Sequence, residues 1–427
     1  MELFYKFDID PLILRHAAAC EQSLTARFAE IDRLSRLNSQ KVHYAFQRCC
    51  VSESHFVGTT GYGYDDRGRT VIDRVYAETF GAEDALVRHF MVTGTHALTT
   101  ALFGLLRPGD LMLSVAGLPY ETLHRVIGLK PTVGSLAEFG VAFEEVPLDG
   151  DGRLDDAAIE RALKARQPKV AYLQRSRGYD TRPSIFIHEI ERMARLIRRV
   201  SPETVFFVDN CYGEFVEATE PIEAGADLMA GSLIKNPGGS MAECGGYIAG
   251  RAALVERCAN RLTAPGLGKS IGPSLGQNRN LLRGFYFAPS ITANALKTAV
   301  FAAALFERLG FACSPRALDP RTDVVEQILL GSREGLITFC QGIQAGAAID
   351  SFVLPEAWAM PGYAQEVVMA AGAFVQGSSI ELSADGPVRE PYAAYMQGGI
   401  NYDTAQVGIL TAAQRMLEAG LLPEAAC

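Results

Sequence analysis

From Val87 to Gly250 the chain repeats one pattern, short apolar runs separated by amphipathic stretches. The runs are LMLSVAG, VAFEEVPL, KVAYLQRS, TVFFVDN, ADLMAGS and GGYIAG, and DDAAIERALKA and IHEIERMARLIRRV lie between them. Strands with little polar alternation are buried on both faces, and intervening helices are what cover those faces. The pattern therefore dictates an α/β fold with a mostly parallel sheet and helices on both sides.

The flanking segments read differently. Leu12, Ile13 and Leu14, then Leu24, Phe28, Ile31 and Leu34, recur at helical spacing within the first 50 or so residues. Val51 to Thr70, including GTTGYGYDDRGR, reads as a long loop, and helix is expected to resume through VIDRVYAETFGAEDAL. TANALKTAVFAAALFERLG, residues 292–310, reads as a long helix leading into a second domain of mixed helices and strands. The expected organisation is an N-terminal helical arm and loop over 1–75, a large domain over 76–300 and a small α+β domain over 301–427.

Composition narrows the function. A chain of 427 residues with net charge −9 is a poor match for a nucleic-acid backbone. No window is apolar for the roughly 18 residues that a membrane helix needs, and MELFYKFDIDPLILRH lacks the pattern of an export signal. The nine cysteines show no Cys-x-x-Cys and no zinc spacing, so reduced thiols in a cytoplasmic protein, with no metal site, are expected.

Three features carry candidate chemistry. In MVTGTHALTTALFGLL, Gly94, Thr95 and His96 would present backbone N–H groups at a helix N-terminus, suited to a phosphate, although a plain strand-to-helix turn capped by threonine reads the same way. Asp209 closes the apolar run of TVFFVDN, at the sheet edge where α/β folds bind ligands. It could be a core carboxylate, a metal ligand (with Glu214 the one further carboxylate close by) or the partner of a cationic cofactor. Lys235 follows ADLMAGSLI and is one of only eight lysines. A lone lysine here commonly snorkels to the surface, whereas a buried one has its pKa lowered and attacks carbonyls. Together, a phosphate site, a strand-end aspartate and a strand-end lysine preceded by Ser232 are what pyridoxal 5′-phosphate requires. The lysine forms the aldimine, the aspartate keeps the ring nitrogen protonated, and Ser232 helps the helix N-terminus hold the phosphate.

The segments TGTHAL, GLPYETL, VDNCYGEF, AGSLIKNPGG, MPGY and SSIELSADGPVREPY resemble the fold-type-I pyridoxal-phosphate enzymes. More narrowly they resemble the methionine γ-lyase-like branch, often called aluminium resistance proteins and akin to cystathionine lyases. The resemblance runs from about Tyr62 to Tyr402. It implies a seven-stranded-type sheet in the large domain, Lys235 as aldimine residue and base, Asp209 on the pyridine nitrogen, Gly94 and Thr95 at the phosphate, and Tyr120 stacked on the ring. It further implies a homodimer or homotetramer in which Tyr64 (or Tyr62) and Arg67 reach a neighbouring chain's phosphate; the bland reading of GYGYDDRGR is a solvated loop. Arg389, after a strand-like SSIEL and a turn ADGP, is implied to hold the substrate carboxylate.

The implied reaction removes a γ-substituent from an L-amino acid through aldimine and quinonoid intermediates, with carbon–sulfur bond cleavage the first reading. Capture of the β,γ-unsaturated intermediate by a nucleophile gives γ-replacement or carbon–carbon bond formation instead, for example from S-adenosylmethionine, and an aminotransferase shares the same cofactor residues. The chain departs from the branch at SMAEC after KNPGG, at FYFAPSITANALK, which lacks His-Val-Val, and at Phe352 in place of a histidine. These positions concern the substrate side and leave the substrate open.

Overall fold

The computed structural model of the chain describes residues 3–375 and 380–423. Its contacts divide it into two compact units, Asn38–Tyr286 and the combination of Met1–Leu37 with Phe287–Cys427. Helix α1 (Pro11–Arg48) has residues in both units.

The unit Asn38–Tyr286 holds α2 (Arg67–Phe80), β1 (Asp84–Arg88), α3 (Gly94–Leu105), β2 (Leu111–Ser114), α4 (Glu121–Ile127) and β3 (Ala142–Glu145). It continues with α5 (Asp156–Arg166), β4 (Val170–Gln174), α6 (Ile187–Val200), β5 (Val205–Asp209), β6 (Leu228–Ser232), β7 (Gly246–Gly250) and α7 (Ala252–Leu262). Helix α8 (Asn278–Arg308) begins here and ends in the other unit. The seven strands lie in the order β1-β7-β6-β5-β4-β2-β3. Strands β2 to β6 are mutually parallel, and β7 runs antiparallel to both β6 and β1.

Every residue of β4, β5, β6 and β7 is buried, as the apolar runs require. On one face Tyr172, Phe207, Leu228, Ala230 and Ile248 share a core with Ala97, Ala101 and Leu105 of α3 and with Val255 and Cys258 of α7. Asp209 is the last residue of β5, the central strand.

One helix expectation fails. VIDRVYAETFGAEDAL is not continuous helix, because α2 stops at Phe80 and Gly81 takes the left-handed conformation (φ 66°) that ends helices. Asp84 onward then pairs with β7 as an edge strand.

The start of α2 also lies earlier than the apolar pattern suggests. Asp66 caps it, its Oδ1 accepting the Arg69 N–H at 2.8 Å and the Asn278 amide at 3.0 Å. Its Oδ2 accepts from the hydroxyls of Ser274 and Thr59, so one buried carboxylate ties the loop before α2 to the start of α8. Burial alone would raise the Asp66 pKa, but the bonds from Arg69, Ser274, Thr59 and Asn278 outweigh it and bring it down to about 2.

The second unit contains β8 (Ala312–Ser314), β9 (Glu326–Leu329), α9 (Arg333–Ala345), β10 (Trp358–Ala359), β11 (Glu366–Ala371), β12 (Ser383–Pro387), β13 (Ala393–Gln397) and α10 (Tyr402–Glu418). Its six strands form an antiparallel sheet in the order β10-β11-β12-β13-β9-β8. ADGP is strand here rather than turn, with Gly386 opposite Val368 and Pro387 opposite Val367. Gly386 is small for a packing reason: a Cβ there would sit 2.4 Å from the Ala393 carbonyl oxygen of β13 and 2.9 Å from Leu336 Cδ1 of α9. Within SSIEL, Ser378 and Ser379 lie outside the described residues.

Because the Asp66 carboxylate has a depressed pKa, its stabilisation is complete above the unfolded value near 4 and is lost as pH falls through about 2. Asp66→Ala should therefore be less stable than the parent at neutral pH. The gap between the two urea midpoints should stay constant from pH 7 to about 5 and close toward pH 2.

Candidate active site

Strands β4, β5 and β6 end side by side at Gln174, Asp209 and Ser232, and their carboxyl ends are where a parallel sheet presents ligand-binding groups. Asp209 is buried, and both its oxygens are held: Tyr172 donates its hydroxyl to Oδ2 at 3.3 Å and Cys211 its N–H to Oδ1 at 3.1 Å.

Lys235 stands three residues after β6, at the start of a single turn, Asn236–Gly238. Its Nζ lies 4.1 Å from the centroid of the Tyr212 ring, a cation–π arrangement. Asn236 fixes this approach by donating its amide to the carbonyls of Tyr212 and Glu214, each at 3.0 Å. Tyr212 has φ 71°, a left-handed conformation uncommon for tyrosine. Burial lowers the Lys235 pKa, but Cys211, Tyr212, Asp209 and Glu214 act against it, and the net direction is upward. The lowering that burial alone predicts for Lys235 is thus outweighed by its neighbours.

Helix α3 begins at Gly94, against Ser232 and Cys211. A Cβ on Gly94 would lie 3.1 Å from Ser232 Cβ and 3.4 Å from Cys211 Sγ. Thr93 caps the helix by accepting the His96 N–H at 3.0 Å, so the His96 N–H is taken rather than free. Among the described residues, the N–H groups of Gly94 and Thr95 have no acceptor. Ser232 Oγ accepts the Ile234 N–H at 3.3 Å, leaving its own proton to donate. These groups fit an anion at the helix N-terminus.

Tyr120 precedes α4, with its N–H donated to Gln174 Oε1 at 2.6 Å and its ring edge-on to Tyr179 at 5.5 Å. Gln174 is the register partner of Asp209, which links Tyr120 to the same sheet edge. Sequence reasoning passed over Gln174 and the wholly buried Arg175, which donates to Asn210 Oδ1 at 2.7 Å, the Gly213 carbonyl at 3.0 Å and Glu217 at 2.9 Å. The available signal was polar QRSR at the end of a buried strand.

Other candidates lie elsewhere. Tyr64 is 60% exposed, its ring 5.6 Å from that of Tyr62. Arg67 is exposed on the first turn of α2, and its side chain makes no hydrogen bond or ion pair with the described residues. No contact between described residues joins either to Lys235, Ser232 or Gly94. Arg389 is exposed, two residues beyond β12 in the second unit, and Phe352 is 87% exposed in that unit. No group of carboxylates, histidines and cysteines suited to a metal occurs among the described residues.

A family model described as methionine gamma-lyase matches residues 13–417. The chain belongs to this family. The Bacillus subtilis protein YnbB is 44% identical over 413 residues, which is 96% of this chain and 98% of that one. A carbon-sulfur lyase involved in aluminum resistance from Clostridium novyi has the same architecture, with a TM-score of 0.93 and 44% identity over 97% of this chain and 98% of its own. L-methionine gamma-lyase of Pseudomonas putida is 30% identical over 171 residues, 39% of this chain and 37% of that one. The pyridoxal-5′-phosphate-dependent protein YhfS of Escherichia coli shares the fold at 18% identity, with a TM-score of 0.62 over 91% of this chain and 97% of its own. The fold is thus fold type I, and the cofactor is pyridoxal 5′-phosphate. The unpartnered N–H groups of Gly94 and Thr95, the Ser232 hydroxyl, the buried Asp209 carboxylate and the Lys235 amine fit that group.

A branched side chain at Gly94 has no room against Ser232 and Cys211. Gly94→Val should weaken retention of pyridoxal phosphate by at least about tenfold, measured by equilibrium dialysis, since a charge-assisted phosphate bond contributes about 1.5–3 kcal/mol.

Proposed function

We propose that the chain is a pyridoxal-phosphate-dependent carbon–sulfur lyase acting on a γ-substituted L-amino acid. The observation that carries the reading is the convergence of a strand-end lysine, a buried strand-end aspartate and an open helix N-terminus at one sheet edge. When bound, the cofactor supplies an electron sink for negative charge that develops at the substrate Cα.

The chain's own residues supply the rest. Gly94, Thr95 and Ser232 hold the phosphate through two N–H groups and a hydroxyl. Asp209 holds a proton on the pyridine nitrogen, and the bonds from Tyr172 and Cys211 keep its carboxylate in place. Tyr120 offers an aromatic face, and Arg389 a bidentate contact for the substrate carboxylate. Lys235, once its amine is free, is the base that takes the Cα proton and returns protons later. A second copy of this chain completes the phosphate site with Tyr64 and Arg67, a reading supported by their exposure, one on the loop before α2 and the other on its first turn.

The test is product analysis with a panel of γ-substituted amino acids. Elimination releases one thiol, one ammonium ion and one 2-oxo acid per substrate, with one water consumed. Retention of the amino group in a new γ-substituted product, or dependence on an added keto acid, would replace this reading by γ-replacement or transamination. Asp209→Asn should lose about a hundredfold or more in turnover while keeping most of its cofactor, because a neutral partner does not hold the ring proton. Arg67→Ala mixed with Lys235→Ala should regain activity, up to about half of the parent's, once heterodimers are confirmed by mass. Confirmed heterodimers without activity would place Arg67 outside the neighbour's site.

A further inference from the structure

Gln174 ends β4 and has no part in the function proposed above. Its side chain is buried, and both ends of its amide are engaged. Oε1 accepts the Tyr120 N–H at 2.6 Å, and Nε2 donates to the Ser176 carbonyl at 2.8 Å. One partner can only donate and the other can only accept, so a single orientation of the amide satisfies both. Arg182 holds the same segment by donating to the Gln174 and Ser176 carbonyls at 3.0 and 2.7 Å. Gln174 is also the register partner of Asp209, and the next N–H, that of Arg175, donates to the Asp209 carbonyl at 3.0 Å. One strand pair therefore carries both Asp209 and the acceptor of the Tyr120 backbone.

Two further contacts seat Tyr120. Gly178, four residues after Gln174, has φ 62°, and a Cβ there would lie 2.7 Å from Tyr120 Cδ2 and 3.2 Å from Cε2. The bare backbone at 178 thus leaves that space to the ring. Two residues after Tyr120, the Thr122 hydroxyl is hydrogen-bonded to that of Thr95 at 2.9 Å, which ties the start of α4 to the first turn of α3. Tyr120 is therefore held between the strand end that carries Asp209 and the helix start with the open N–H groups of Gly94 and Thr95. Those two anchors are the groups assigned above to the pyridine nitrogen and to the phosphate.

We infer that Gln174 is a positioning residue that sets the Tyr120 ring against the cofactor, by fastening the backbone of residue 120 to the strand end beside Asp209. The inference rests on the proposed role of Tyr120. Gln174 bonds to the Tyr120 backbone N–H, so its effect on the cofactor passes through the side chain that stands at 120. Without an aromatic ring there, the Gln174 bond has nothing to aim. A residue that only stiffened the end of β4 would act on the cofactor whatever side chain stood at 120.

The test is a double-mutant cycle read by equilibrium dialysis of pyridoxal phosphate against the full-length protein. Gln174→Ala should weaken retention by about three- to tenfold, the effect of one lost hydrogen bond. Tyr120→Ala should weaken it by at least as much, and the double variant should be no weaker than Tyr120→Ala alone. Single effects that multiply in the double variant overturn the inference, as does parent-like retention in a folded Gln174→Ala. If Gln174→Ala does not fold, Gly178→Ala takes its place in the cycle. Its methyl meets the ring in the parent and no ring in Tyr120→Ala, so its effect should vanish there, and an effect that persists overturns the inference. Parent-like retention in Tyr120→Ala instead overturns the role of Tyr120, and the inference falls with it.

Discussion

A cation drawn out of water at the end of a buried strand must be compensated, and much of this site follows from that requirement. Lys235 cannot remain an ammonium beside β6 unless opposite charge and a polarisable surface come to it. The end of β5 and the loop after it supply both, with the buried Asp209 carboxylate and the Tyr212 ring 4.1 Å from Nζ. That loop cannot drift, because Asn236 bonds two of its carbonyls and Arg175 grips it from β4 through Asn210, Gly213 and Glu217. The compensation also makes chemical sense of a raised pKa. A lysine held as an ammonium is a poor nucleophile until a cofactor aldehyde and a proton acceptor are both present.

The sheet gives this arrangement its rigidity. Parallel strands place successive chain ends at one edge, so groups distant in sequence, Gln174, Asp209 and Ser232, become neighbours without a long loop. Helix α3 then brings Gly94 against Ser232, and the absence of a side chain lets open N–H groups sit close to that edge. Precision of this kind is what a site on secondary-structure ends provides over one on loops alone.

Much of this was legible in the sequence because the signals were local. The runs ending at Asp209 and Ser232 were apolar throughout and became the buried strands β5 and β6. What escaped depended on contacts between distant segments. AEDAL looked helical until the Gly81 cap and pairing with β7 made it an edge strand. ADGP carried the composition of a turn, yet pairing with Val367 and Val368 made it strand. His96 looked available for an anion, but the capping hydroxyl of Thr93 claims its N–H. Gln174 and Arg175 gave only a weak signal, since a buried polar residue declares its purpose through partners that lie 35 or more positions away.

The central claim is that one lysine of eight, Lys235, carries the cofactor. Borohydride reduction of the protein loaded with pyridoxal phosphate, followed by peptide mass mapping, tests it most directly. The account predicts a pyridoxyl label on the peptide containing SLIKNPGG, at Lys235 and in near-stoichiometric yield. A label on any other lysine, or none in a folded and loaded protein, would contradict it.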